Sequence, residues 1–266
     1  MSIRTNFDSK TAGGKVTTSK QAVFAACVFH SSTARPCTLG VTVGSFLQQT
    51  FSGAATLTIV TDDENPLPVV PGLSDERINV VVVPGSPTLG QLYNAAKSWI
   101  AHKVVRDRRA YFLTHWGLGC YYLSDYLSYT TNSLETGEAG LVSHVTHVDL
   151  YSGEMFKKKH SKGSPYAVLY PPTLPAVFSP TSRNPLGVFL GDLLSPPRGV
   201  RKSVKWPAVK VVSSASHLAV QFYDGLICTD RETFMARPLG SMSTTEYETE
   251  QVVNVVARYS LRPIDF

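Results

Sequence analysis

The chain lacks any apolar run near the roughly 18 residues that a membrane-crossing helix needs, and it opens on no charged segment followed by an apolar one. A spanning helix is therefore not expected, and a soluble, cytoplasmic protein is, in the host cytoplasm if the source is viral. Cysteine is scarce. The four residues Cys27, Cys37, Cys120 and Cys228 form no Cys-x-x-Cys pair, which argues against a zinc ribbon or a disulfide framework and for reduced thiols. Also missing is a glycine-rich phosphate loop with lysine after the first apolar strand. The segment there, His30-Ser31-Ser32-Thr33-Ala34-Arg35, argues against a nucleotidyltransferase that would use such a loop. Internal repeats and low-complexity tracts are absent too.

What is present suits one large α/β unit. With 266 residues, 43% hydrophobic and 17% charged, the chain can bury a full core without staples. Residues 1–20 are polar and aperiodic and read as a flexible arm. Ala22-Val-Phe-Ala-Ala-Cys-Val-Phe is a continuous apolar run suited to a central strand, and Pro36 suits a helix start, with Leu39, Val43, Phe46 and Leu47 as its inward stripe. A second strand runs through Ala55–Val60 to Asp62-Asp63. A third covers Ile78–Val83, a helix follows over Leu89–His102, and Ala110–Leu113 is a fourth strand that runs into Thr114-His115-Trp116. This order makes a Rossmann-like half.

Further on, the pattern predicts a helix over Ser124–Leu134 capped by Ser124, one strand over Gly140–Tyr151 and extended loops over 165–209. Strand character spans 211–227, and a helix spans Glu248–Tyr259. The organisation expected is an arm over 1–20, a nucleotide-binding half over 21–150, and an acceptor-binding region of the same domain over 151–266.

Two features carry chemistry. Asp62 and Asp63 close an apolar, β-branched strand, and crevices outside the carboxyl ends of such strands are where α/β folds seat nucleotides; a solvated turn is the alternative reading. The second feature is clustered positive charge. The net charge is +5, and Lys157-Lys158-Lys159-His160 with Lys162, and Arg198, Arg201, Lys202 and Lys205, read as basic loops suited to a diphosphate or a nucleic-acid backbone. Solvated, mobile loops are the bland equivalent.

The helix end Ser45-Phe46-Leu47-Gln48-Gln49-Thr50, the strand end Asp62-Asp63, Leu92-Tyr93-Asn94 and Ser124-Asp125-Tyr126-Leu127 together resemble the large inverting family of nucleotide-sugar glycosyltransferases with the GT-A fold. The resemblance covers residues 22–150. It implies a GT-A-like, Rossmann-type mixed sheet flanked by helices, a nucleoside-diphosphate sugar as donor, and transfer to an acceptor hydroxyl. It further implies donor contacts at Asp62, Asp63, Asn94 and the strand end Thr114, His115 and Trp116.

Departures from the family shape the rest. Where Asp-x-Asp usually holds a divalent ion, this chain has Thr114-His115-Trp116, which supplies no carboxylate for Mn2+ or Mg2+. Three readings stay open: a metal-independent enzyme, which is favoured; His115 as ligand to a borderline metal; or a nucleotide-sugar-binding module without catalysis. Tyr93 stands where an arginine is common, so the leaving diphosphate needs other cations, with Arg106, Arg108, Arg109, Lys157, Lys158, Arg201 and Lys202 as candidates. The family's general base is an acid near the start of a late helix, which points to Glu246, Glu248 and Glu250, the last two first. Partial desolvation would raise such a carboxyl toward a useful pKa; acids that only complement the helix dipole are the alternative.

His144, His147 and Asp149 could contact an acceptor, but alternation along a strand keeps both histidines from sharing one metal. The acceptor is open between a glycan and a hydroxymethylated base in phage-type DNA. A flipped base would stack on Trp116, Tyr121, Tyr122 or Trp206, although core packing is the commoner task of such rings.

Overall fold

In the computed structural model, residues 21–30, 36–62, 67–103, 111–160, 164, 166–175, 177–182, 184–195, 206–212, 219–223 and 231–262 are described. Four parallel strands carry the architecture: β1 (Ala22–Phe29), β2 (Ala54–Asp62), β3 (Ile78–Val83) and β4 (Tyr111–His115). β1 is apolar on both faces because both are covered, as central parallel strands require. Val23, Ala25, Cys27 and Phe29 meet Leu39, Val43 and Phe46 of α1 (Pro36–Leu47) on one side. On the other, Ala26 and Val28 meet Leu92, Tyr93, Ala96 and Ile100 of α2 (Leu89–Lys103).

The chain passes from β1 through α1 to β2 and β3, then returns through α2 to place β4 on the opposite flank of β1. Strand order in the seven-stranded sheet is β10-β6-β9-β4-β1-β2-β3, so the connections change direction at β1 and β4. β9 (Val168–Tyr170) lies antiparallel between β4 and β6 (Ala139–Val142), and β10 (Val209–Val212) pairs parallel to β6. The sheet is mixed, and helices cover both faces, as expected for this fold class. Strands from both halves of the chain share it.

A second, four-stranded sheet has the order β5-β11-β7-β8, built from β5 (Cys120–Tyr122), β11 (Ala219–Tyr223), β7 (His144–Asp149) and β8 (Met155–Lys159). α6 (Glu246–Arg258) covers one face, with Val252 and Val255 against Val148, Val220 and Phe222. The short α5 (Arg231–Met235) lies on the other through Phe234, whose ring is 4.3 Å from that of His147. α6 also leans on α1: a Cβ on Gly44 would sit 2.1 Å from the Tyr259 hydroxyl, so only glycine lets that ring cross the helix.

The remaining helices are α3 (Tyr126–Asn132) and α4 (Pro185–Leu194). Several expectations are corrected here. The single strand over Gly140–Tyr151 is two, β6 and β7, broken at Ser143 so that each joins a different sheet. The described residues of 211–227 likewise fall in two strands, β10 and β11. The 165–209 stretch contains a strand in the middle of the main sheet and α4, whose Leu186, Phe189, Leu190 and Leu193 are core. The N-cap position of α3 is Asp125 rather than Ser124, with no side-chain cap hydrogen bond, and the helix is shorter than expected. Lys157, Lys158 and Lys159 are not in a loop but in β8, paired with β7. The arm over 1–20 lies outside the described residues.

Candidate functional site

The crevice at the change of strand direction is where an α/β sheet offers a ligand site. Two described side chains mark it. The parallel register sets Phe29 beside Thr61, so the next residues, His30 just after β1 and Asp62 at the end of β2, meet there, with His30 Nε2 3.6 Å from Asp62 Oδ2. Asp62 is 2% exposed, whereas the His30 side chain is 29% exposed and forms the open side of the pair. Asp63 lies outside the described residues, as do Arg108, Arg109, Arg201 and Lys202.

Thr114, His115 and Trp116 do not join them. β4 is shorter than β1: His115 pairs with Ala26, three residues before β1 ends at Phe29, and the Trp116 amide still donates to the Ala26 carbonyl at 2.9 Å. The strand end is thus inside the molecule. His115 is ringed by Tyr93, Tyr170, Phe178 and Phe189 at 5.2 to 5.6 Å, and its Nε2 is 3.1 Å from the Tyr170 hydroxyl. Burial, and after it the charge of Lys97, lowers its pKa to about 3 and keeps it neutral.

Trp116 is equally enclosed, donating to the Thr42 carbonyl at 3.0 Å and lying 4.0 Å from the Tyr122 ring. Thr114 is fully buried. These residues do not fit a divalent ion, since no carboxylate is among them and the imidazole is shut in by rings. More broadly, no group of three or more His, Cys, Asp or Glu suited to a metal occurs among the described residues. Asn94 is also committed. Its amide donates to the Phe178 carbonyl at 2.7 Å and accepts from the Phe178 amide at 2.9 Å, which clips Phe178 onto α2.

The expected base residues lie elsewhere. Glu246 and Glu250 are exposed on the first turns of α6. Glu248 closes a capping box: it accepts from the Thr245 amide at 2.7 Å, and its own amide donates to the Thr245 hydroxyl at 3.3 Å. Lys157 Nζ lies 3.2 Å from the same carboxylate, both side chains being nearly buried. Burial alone would raise the Glu248 pKa, but the Thr245 amide, the Lys157 ammonium and the Thr245 hydroxyl outweigh it and hold the carboxyl below its ordinary value. This is the reverse of the upward shift expected of a general base.

Glu248 also faces a cavity of about 450 Å3 between α6 and the second sheet, and none of the residues lining it comes from the ends of β1, β2 or β4. The structure therefore groups Glu248 with Lys157, not with Asp62. Removing one partner of such a pair strands the other charge. Glu248→Ala is expected to cost about 3–5 kcal/mol in urea unfolding, whereas Lys157→Met with Glu248→Gln recovers most of that loss. A double variant no more stable than Glu248→Ala would refute the pairing. The sign with pH follows from the lowered pKa: the stabilisation is complete above the ordinary glutamate value of 4.5 and is lost as pH falls through the lower folded value.

The next lysine of this strand, Lys158, donates to the carbonyls of Thr233 and Phe234 at 2.7 and 2.8 Å, and burial lowers its pKa. Neither it nor Lys157 is the free phosphate contact that a basic loop would offer. Asp149 is likewise held: burial pushes its pKa up, yet Arg231, the Tyr151 amide and Ser152 together bring it below the ordinary range. His147 sits between the Phe234 carbonyl at 3.2 Å and His160 Nε2 at 3.2 Å, while His144 bonds Ser143. The two histidines of β7 point apart, as alternation requires. Sequence reading missed His30 as Asp62's neighbour and the pairing of His147 with His160. The first was available from strand register; the second joins β7 to the residue just after β8 and had no local signal.

No family model matches the chain, and no curated protein does. Solved structures with a similar fold include S. aureus TarS 1-349 in complex with UDP-GlcNAc, at 10% identity over 92% of this chain and 68% of that one, TM-score 0.49. S. aureus TarS 1-349 also aligns over 76% of this chain, which spans 60% of that one, at 10% identity and TM-score 0.46. So does 4-diphosphocytidyl-2C-methyl-D-erythritol synthase, at 11% identity, 89% of this chain and 98% of that one, TM-score 0.44. Likenesses this distant leave the site to be judged on its own residues. No helix among the described residues is long and apolar enough to cross a membrane.

Proposed function

We propose that the chain is a nucleotide-sugar-dependent glycosyltransferase of GT-A-like architecture, with the donor's nucleoside across the carboxyl ends of β1 and β2. The observation that carries this is the buried Asp62 carboxylate, set beside His30 where the strand order reverses. A carboxylate there accepts hydrogen bonds from ribose hydroxyls or a base edge, and such charge-assisted bonds are the strong ones. The sequence resemblance across residues 22–150 supports the same reading.

In this reaction the acceptor oxygen bonds to the anomeric carbon as the bond to the diphosphate breaks; a base takes the hydroxyl proton, and nucleoside diphosphate leaves. Attack opposite the leaving group inverts the anomeric centre. The reading is metal-independent, since the strand end that would hold an ion carries no carboxylate for a hard cation. Charge on the leaving diphosphate then falls to Arg108, Arg109, Arg201 and Lys202 rather than to Lys157 and Lys158, whose ammonium groups are bound within the fold. With those two lysines committed, the charge argument for a DNA acceptor weakens, and a glycan hydroxyl is the acceptor proposed.

The test is release of nucleoside diphosphate from UDP-, GDP- and CDP-sugars with a glycan mixture or hydroxymethylated DNA, with and without EDTA. Acceptor-dependent release that survives EDTA is expected; tight nucleotide binding with no release from any pair would instead identify a binding module. Asp62→Asn should weaken donor binding by 10- to 100-fold, from about 1.5–3 kcal/mol for hydrogen bonds to a charged group. Unchanged affinity in this variant would remove Asp62 from the donor site.

A further inference from the structure

The cavity under α6 has a lining that the strand-end site does not explain. Val220, Val252 and Leu123 give it an apolar wall, and polar residues line it from three places: Thr146 on β7, Gln251 on α6 and Asp125 just before α3. Thr146 is 2% exposed on β7, on the same face as Val220, and its hydroxyl makes no hydrogen bond among the described residues. The Asp125 carboxylate makes no cap hydrogen bond to α3, and neither it nor the Gln251 amide has another partner among the described residues. Buried polar groups are ordinarily satisfied, so an unsatisfied hydroxyl facing a space of about 450 Å3 calls for a ligand or water.

Charge narrows the class. Among the described residues, two carboxylates, Asp125 and Glu248, line the cavity and no basic side chain does. Glu248 is already balanced by Lys157, which leaves the exposed Asp125 carboxylate, at the cavity's rim, as the remaining charge. A phosphate or carboxylate ligand would meet repulsion, and a purely apolar one would bury Thr146 and Gln251 without partners. We propose that this cavity is a binding site for a small amphiphilic monocation, an ammonium group directed at Asp125, Thr146 and Gln251 with an apolar body against Val220, Val252 and Leu123. An ammonium brings three donors, and these three side chains all offer acceptor oxygens. The site is separate from the donor crevice, and its occupancy does not depend on the glycosyltransferase reading.

Two probes of matched body and opposite charge test it on the full chain by calorimetric titration: 2-phenylethylamine and 3-phenylpropanoate. The amine is expected to bind and the carboxylate not to. Asp125→Asn removes the charge at a position that makes no cap hydrogen bond and should weaken the amine several-fold; Thr146→Val keeps the side-chain shape and should also weaken it several-fold. Equal binding of both probes, absence of amine binding, or an affinity unchanged in both variants would overturn the proposal. Because the readout is binding without donor present, it stands or falls apart from any result on nucleoside diphosphate release.

Discussion

Lowering the pH from 7 to 5 is expected to remove about 5 kcal/mol from the folding free energy, enough to unfold much of the protein. Three histidines are held neutral inside the fold. Burial is the main cause for each: His115 is brought down to about 3, His147 to about 2 and His160 to about 4. Nearby cations add to it, Lys97 at His115 and Lys158 at the His147–His160 pair. In the unfolded chain each titrates near the ordinary 6.5, so below that pH the unfolded state binds protons that the folded state refuses. Each such group costs about 1.36 kcal/mol per pH unit until its folded pKa is reached.

Over the interval from about 6.5 to 5, three groups together reach the predicted loss, against a total stability of about 5–15 kcal/mol for ordinary domains. Urea midpoints at pH 7, 6 and 5 measure it directly. His160→Gln keeps a polar partner for His147 and should flatten the slope by about a third. A stability unchanged from pH 7 to 5 would mean that these rings are solvated, and with that the packing around His115 would have to be given up.

How much of this was legible beforehand depended on whether local pattern or distant pairing decided the structure. β1, β2, α1 and α2 were readable because each has a long periodic or continuous apolar signal and covers the neighbour next in sequence. β9 was not, because three residues, Val168-Leu169-Tyr170, between Pro-rich segments carry no period; their place in the sheet is set by β4 and β6. Ser143 breaks an otherwise continuous run only because β6 and β7 find partners in different sheets. α4 was hidden by the Pro and Gly that surround and interrupt it.

The site divides in the same way. Asp62 at the end of β2 followed from strand sense alone. The fate of Thr114-His115-Trp116 did not, since residue type does not say how far β4 extends beside β1. Glu248 was correctly placed near the start of a late helix, yet its partner Lys157 is 91 positions away on β8, and no local rule couples them. That coupling turns a residue with a favourable address for a base into an anchored, low-pKa carboxylate.

The sharpest consequence of that register concerns His115. Replacing it by aspartate places one acid where the resemblance expects a pair, and the expected result is a destabilised chain rather than a new metal site. The carboxylate would face Tyr93, Phe178 and Phe189 with the Tyr170 hydroxyl beside it, and the Lys97 charge that acts on His115 would offset only part of a burial cost of several kcal/mol. The lost ring also leaves space in a packed shell. A loss of about 4 kcal/mol or more is expected, a fall in Tm on the order of 10 °C at 2–4 °C per kcal/mol for chains of this size.

His115→Phe separates packing from charge, because it refills the shell and leaves only the Tyr170 hydroxyl unpaired, for about 1–3 kcal/mol. Aspartate should therefore be clearly worse than phenylalanine. A ligand that binds only the folded state raises Tm by mass action, so added Mn2+ gives a direct readout of any site created. No Mn2+-dependent rise is expected in His115→Asp. If that variant instead melts with the parent chain and gains stability with Mn2+, then the end of β4 opens onto the crevice, and the metal-independent mechanism loses its structural ground.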